Sequence, residues 1–194
     1  MANIPFKRRY SIHEAIGATS INESYMISDP ESGCGLAAVD EKVGLGKSVA
    51  KAFVDKVLLP VHMVMTSSEG TNILEMTQPV GILKPVFTVK NSEGRILCEL
   101  KSNICSLKPN IEVLDERGQV VGRITGNLSR RDFDLVDMAG KPVAKIKHLI
   151  ESVVRELFTT ADDYDVEMLI DIPDTTWASI ALAATIAIDV WFHE

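Results

Sequence analysis

The sequence is poor in cysteine. Cys34, Cys98 and Cys105 stand far apart among 194 residues. An odd number of cysteines without a CxxC pair argues against a disulfide framework and gives zinc ligation no support. Isolated thiols suit a reducing compartment, so a cytoplasmic protein is expected, with or without membrane association. Each cysteine reads as a small buried hydrophobe or an ordinary surface thiol. Histidine is also scarce. His13, His62, His148 and His193 are widely separated, and no Ser-His-Asp or Cys-His set has local support. Positive charge is in deficit, with 20 Lys+Arg against 27 Asp+Glu and a net charge of −7. That excludes a general nucleic-acid binder, because phosphate neutralisation needs clustered Lys and Arg. No apolar run follows the basic start Phe6-Lys7-Arg8-Arg9-Tyr10, so no secretory signal is expected. Linkers and low-complexity segments are missing. Gly46-Lys47-Ser48 mimics the end of a phosphate-binding loop, but Glu41 stands where that motif needs its first glycine. Nothing resembles a catalytic constellation or a small-molecule site, and a non-enzymatic domain is the expectation.

What is present is an ordinary globular composition, 46% hydrophobic and 24% charged. The length suits one domain with a real core. Turn signals recur between short apolar runs, at Asp29-Pro30-Glu31-Ser32-Gly33, Ser67-Ser68-Glu69-Gly70, Asn91-Ser92-Glu93-Gly94, Asp115-Glu116-Arg117-Gly118 and Asp137-Met138-Ala139-Gly140. A glycine closing each turn can take positive φ without a Cβ clash. Gly70, Gly94, Gly118 and Gly140 lie 24, 24 and 22 residues apart, a hairpin period. Alternation in Phe87-Thr88-Val89-Lys90 and Ile111-Glu112-Val113 puts one face of each strand inside and one in water. Five hairpins and a late strand over 164–170 give about eleven or twelve strands. So many antiparallel strands close into a barrel or fold into a sandwich.

Two stretches break the pattern. Residues 44–59 place Val49, Phe53 and Val57 on one helical face and Lys47 and Lys51 on another. This reads as a helix packed on the barrel rim or lying on a membrane surface. Residues 149–158 read as a helical turn or strand before the acidic Asp162-Asp163-Tyr164-Asp165.

The C-terminal segment Thr175–Phe192 is almost continuously apolar. It is rich in alanine and free of Gly and Pro, so a helix over about 174–192 follows, with Asp174 or a neighbouring Thr as its N-cap. Apolar nearly all round, it needs lipid or protein on every side. The length just permits a membrane span. Asp189 opposes that reading, because a carboxylate in hydrocarbon costs several kcal/mol. Ser179 and Thr185 add polar groups that a barrel interior can satisfy. The alanines also keep the helix thin enough to thread a closed barrel. The fold expected is therefore mainly β, a closed antiparallel barrel of about 12 strands around a buried hydrophobic C-terminal helix. Its domain would span 21–194, after an N-terminal segment 1–20.

The run Val154-Arg155-Glu156-Leu157-Phe158-Thr159-Thr160-Ala161-Asp162-Asp163-Tyr164 and the ending Ala187-Ile188-Asp189-Val190-Trp191-Phe192-His193-Glu194 resemble the C-terminal half of the phospholipid scramblases. That family carries a similar VRE-x-F-T-D-A-D-N-F segment, a short strand and an apolar helix. Tyr25-Met26-Ile27, Leu36-Ala37-Ala38-Val39-Asp40-Glu41 and Val113-Leu114-Asp115 extend the resemblance loosely over 22–194. It is strong over 150–194. The family belongs to the tubby-like superfamily, with the LURP-one-related proteins, whose fold is a closed twelve-stranded barrel around a hydrophobic helix. The resemblance implies association with membrane phospholipid or phosphoinositide. It also implies a calcium segment, whose acidic positions fall on Asp162 and Asp171, with Asp163 in support. Thr160 stands where the family's first Asp is usual, and a solvated acidic turn is the plainer reading. The family's palmitoylated cysteine cluster is absent.

Cations available for lipid phosphates are Lys7, Arg8, Arg9, Lys47, Lys51, Arg130 and Arg131. Each is worth about 1 kcal/mol near anionic lipid. Three functions fit these features. One is peripheral binding of membrane phospholipid. A second is a scaffold that binds protein partners through its loops. The third is a true scramblase anchored by the C-terminal helix.

Overall fold

The computed structural model describes residues 3–15, 23–42, 59–80, 85–102, 107–149 and 162–192. Twelve strands run in chain order: β1 (Arg9–Glu14), β2 (Ser24–Ser28), β3 (Gly35–Glu41), β4 (Val61–Ser67), β5 (Asn72–Gln78), β6 (Val86–Asn91), β7 (Ile96–Ser102), β8 (Asn110–Leu114), β9 (Val120–Gly126), β10 (Asp132–Asp137), β11 (Pro142–Leu149) and β12 (Asp163–Met168). Each pairs antiparallel with its sequence neighbour, and β1 pairs with β12 to close the barrel. Closure leaves no open edge for another chain to extend. One helix, α1 (Thr175–Phe192), fills the interior.

β1 comes from the segment expected to precede the barrel. Tyr10 and Ile12 point inward from it, and both are fully buried. Its register runs Ile12↔Tyr164 on one side and Ile12↔Ile27 on the other. The alternation Tyr10-Ser11-Ile12 carried this information, but no hairpin turn marks it.

The tight turns are built on a shared device, seen clearly at Asp115. Its Oδ1 accepts the backbone N–H of Arg117 at 2.9 Å and of Gln119 at 2.8 Å. Its carbonyl accepts Gly118 N–H at 3.0 Å, with Gly118 at φ 74. A side-chain oxygen thus fixes the turn, and glycine supplies the left-handed step. The register shifts by one residue between Val113 and Leu114, the bulge that such a turn imposes. Asn91, Asp137 and Ser67 cap their turns in the same way.

The five hairpin turns and the start of α1 lie at one end of the barrel, the turn end. The longer connections and the C-terminus of α1 lie at the other, the loop end. Alternating inward residues such as Val39, Met65, Phe87, Leu100, Ile124, Leu135 and Val166 wrap α1. From Ala178 to Trp191 every helix residue is buried. A helix enclosed on all sides has no polar stripe to show, which is why it is apolar all round. Its alanines at 178, 181, 183, 184 and 187 keep it slim between large inward side chains. Burying each of Leu182, Ile186 and Ile188 contributes about 1.5–3 kcal/mol. Asp174 is the N-cap. Its Oδ1 accepts Thr176 N–H at 2.8 Å and Trp177 N–H at 3.2 Å. The helix is long and apolar enough to cross a membrane, yet 78% of that span is buried within the barrel.

Candidate functional site at the loop end of the barrel

The basic residues fall at opposite ends. Lys7, Arg8 and Arg9 lie at the turn end, where each is already engaged. Lys7 Nζ pairs with Asp29 Oδ2 at 2.8 Å, and Arg9 pairs with Asp165 at 2.6 Å. The Arg8 guanidinium donates to the carbonyls of Ile170 at 2.7 Å and Met168 at 3.4 Å. Tyr10 Oη accepts Lys7 N–H and donates to the Pro5 carbonyl. The hydrogen bond from Lys7 holds the Asp29 carboxyl at about 2, below the usual carboxylate range. These cations tie the N-terminal arm to the turn after β2, to β12 and to the segment after β12.

Arg130 and Arg131 sit at the loop end, in the turn between β9 and β10. Asn127 Oδ1 accepts Arg131 N–H at 3.0 Å, and Asn127 Nδ2 donates to Asp132. Arg130 has φ 57, a left-handed step made by a residue with a Cβ. Its guanidinium lies 5.5 Å from the ring centroid of Phe192, the last residue of α1. Lys108 is exposed on the neighbouring connection. Among the described residues, Lys108, Arg130 and Arg131 have no carboxylate within salt-bridge distance, unlike Lys7 and Arg9. Lys47 and Lys51, with residues 44–58 of the expected amphipathic helix, lie outside the described residues.

The three acidic residues assigned to calcium do not converge. Asp162 and Asp163 are at the loop end of β12, and Asp171 lies past its turn end. At about 3.3 Å per residue the intervening strand holds them about 20 Å apart, far beyond one ion's 2.3–2.6 Å ligand shell. Each also has other company. Asp162 Oδ1 lies 2.7 Å from His148 Nε2, Asp163 bonds the ring of His13, and Asp171 lies 3.4 Å from Lys141 Nζ. Among the described residues, no group of three His, Cys, Asp or Glu side chains could hold a metal ion. Cys98 is buried and Cys34 exposed. Burial pushes the Cys98 thiol up to about 12, so it is inert at neutral pH.

The most unusual chemistry is inside the loop end. Asp189 is fully buried on α1. Tyr25 Oη donates to its Oδ2 at 2.6 Å, and Tyr164 Oη donates to its Oδ1 at 2.5 Å. Burial pushes the Asp189 carboxyl up to about 7, although both tyrosine hydrogen bonds oppose the rise. Glu14 and Asp162 add to it through like charge. The Tyr164 hydroxyl is also pushed up, first by burial and then by Asp189. Its ring stacks on His148 at 5.1 Å. Nearby, Trp191 Nε1 donates to Gln78 Oε1 at 2.6 Å, and Gln78 Nε2 donates to the Leu59 carbonyl. The sequence marks Asp189 as anomalous but not its partners. Two tyrosines at inward strand positions were the available signal, since a buried phenol needs a partner.

The rim around this network exposes apolar side chains. Leu128, at the tip of the β9–β10 turn, is 69% exposed, and Leu107 is 88% exposed. Their connections touch. Gly126 N–H donates to the Pro109 carbonyl at 2.9 Å. A Cβ on Gly126 would fall 2.8 Å from Pro109 Cγ, so only glycine allows this approach.

No protein-family model matches the chain, and no curated relative matches its sequence. Among solved structures, it is similar to the crystal structure of a protein from Arabidopsis thaliana, AT5G01750. The TM-score is 0.54 and the identity 15%, over 97% of this chain and 93% of that one. The likeness is one of fold.

Proposed function

We propose that this chain is a non-enzymatic barrel that binds anionic membrane phospholipid peripherally, in the manner of a scramblase-like or tubby-like domain. The observation that carries the reading is the set Lys108, Arg130 and Arg131 at one end of an acidic protein, none of them paired with a carboxylate among the described residues. An acidic body gains nothing from whole-surface attraction, so local cations must make the contact. Three of them supply about 3 kcal/mol near anionic lipid. The resemblance of residues 150–194 to the scramblases supports the same partner.

The enclosure of α1 favours peripheral contact over a membrane span. Extracting the helix would strip Tyr25 and Tyr164 of Asp189 and open the whole core to water. A second reading, docking of a protein partner, draws on the turn end, where Met138 and Ile172 are exposed beside Asp137, Asp171 and Asp174.

Co-sedimentation with phosphatidylserine-containing and pure phosphatidylcholine vesicles tests the proposal. Binding is expected only to the anionic vesicles, and it should weaken with salt. Lys108→Ala with Arg131→Ala should reduce it, whereas Lys7→Ala with Arg9→Ala should not. Equal binding to both vesicle types, or none to either, would contradict the reading.

A further inference from the structure

Resting on that reading, we infer that the barrel docks end-on, with Leu107 and Leu128 entering the bilayer interface beneath Lys108, Arg130 and Arg131. Three surface cations alone leave binding near the millimolar range. A second, apolar contribution is what turns such contact into stable peripheral association. The loop end has that contribution in place. Leu107 precedes Lys108 directly, and Leu128 lies two residues before Arg130, so each exposed leucine carries its own cation.

Four features fix the orientation. The two leucines stand on adjoining connections, held side by side where Gly126 meets Pro109. Asn127 braces the β9–β10 turn through Arg131 N–H and Asp132, so Leu128 is presented on a rigid tip. Arg130 rests over Phe192, which fixes its place beside the end of α1. At the same end Glu14, Asp162 and Asp163, with the buried Glu23 and Glu41, lie on the side of β12 and β1–β3, and Asp132, beside Arg131, accepts the Asn127 amide. The barrel therefore tilts, with the β8–β10 side toward the membrane and the β1–β12 side away from it.

The turn end also exposes large apolar side chains, Met138 and Ile172. There Asp137, Asp171 and Asp174 stand against one cation, Lys141, which pairs with Asp171, so the surface is net acidic and an anionic bilayer repels it. Charge, and not apolar exposure alone, selects the loop end.

The test uses the full chain and vesicles of phosphatidylserine and phosphatidylcholine at low salt. Leu107→Asp with Leu128→Asp is expected to weaken binding about tenfold or more, as loss of buried leucine area implies. The milder Leu107→Ser with Leu128→Ser should follow in the same direction, and it serves if the aspartates disturb folding. Met138→Asp with Ile172→Asp, at the opposite end, should bind like the unaltered protein. If the unaltered protein binds and the leucine variants bind equally well, end-on docking is overturned while the membrane reading survives. Loss of binding in the Met138 and Ile172 variant alone would place the contact at the wrong end for this proposal. If the unaltered protein does not bind, the membrane reading fails and docking falls with it.

Discussion

Replacing Asp189 by asparagine should flatten the pH dependence of stability across the weakly acidic range. The carboxyl is fully buried, and its value rises from 3.8 to about 7 in the folded barrel. Between those values the folded state holds a proton that the unfolded chain has released. Unfolding then releases a proton, so stability falls as pH rises through this window. The contribution is complete below about pH 4 and gone above about pH 7. At about 1.4 kcal/mol per pH unit the span amounts to about 4 kcal/mol. Asp29 acts in the opposite sense and elsewhere. Its depressed value of about 2 gives stability that is lost only as pH falls below its ordinary 3.8. Asparagine keeps an oxygen acceptor for one tyrosine and has no proton to release. Urea unfolding at constant ionic strength, at several pH values from 4.5 to 8, measures the effect. The difference between the two proteins isolates Asp189 from the exposed His13–Asp163 and His62–Glu75 pairs, which both share. The unaltered protein should lose stability relative to Asp189→Asn as pH rises. Parallel curves would refute the claim that the buried carboxyl is the titrating group.

Gly118→Ala should cost about 1 kcal/mol, read as a lower urea midpoint, because alanine must adopt φ near 74 in the Asp115 turn. Calcium should leave the melting temperature unchanged, since β12 separates Asp162 and Asp163 from Asp171. A calcium-dependent rise would show that ligands outside this set complete a site.

The fold was legible because its signals are local. Each turn puts Asp, Asn or Ser ahead of a glycine, and the strands between alternate with period two. A polar side chain that caps a turn and a glycine that reverses it act within five residues, so spacing alone reveals them. β1 escaped because no short Asp-, Asn- or Ser-to-Gly turn flanks it in the sequence. Its partner β12 lies some 150 residues away, and no periodicity links the two. Site residues were harder. Lys7-Arg8-Arg9 looks like a binding patch on paper, yet Asp29, Asp165 and the carbonyls of Met168 and Ile170 consume it. Arg130-Arg131 looks no different in sequence, yet among the described residues no carboxylate pairs with either arginine, and Arg130 rests over Phe192.

The sequence by itself determined that this chain makes antiparallel hairpins and one helix that must be surrounded. Both follow from near-neighbour chemistry and hydrophobic period. It did not determine what surrounds the helix, because lipid and a barrel interior both accept an alanine-rich apolar surface. The tertiary structure decided that through Asp189. A membrane offers a lone carboxyl nothing, whereas β2 and β12 each bring it a tyrosine hydroxyl. Which cations face outward unpaired was also a tertiary decision. Charge is written in the sequence, but neutralisation depends on which strands closure brings together.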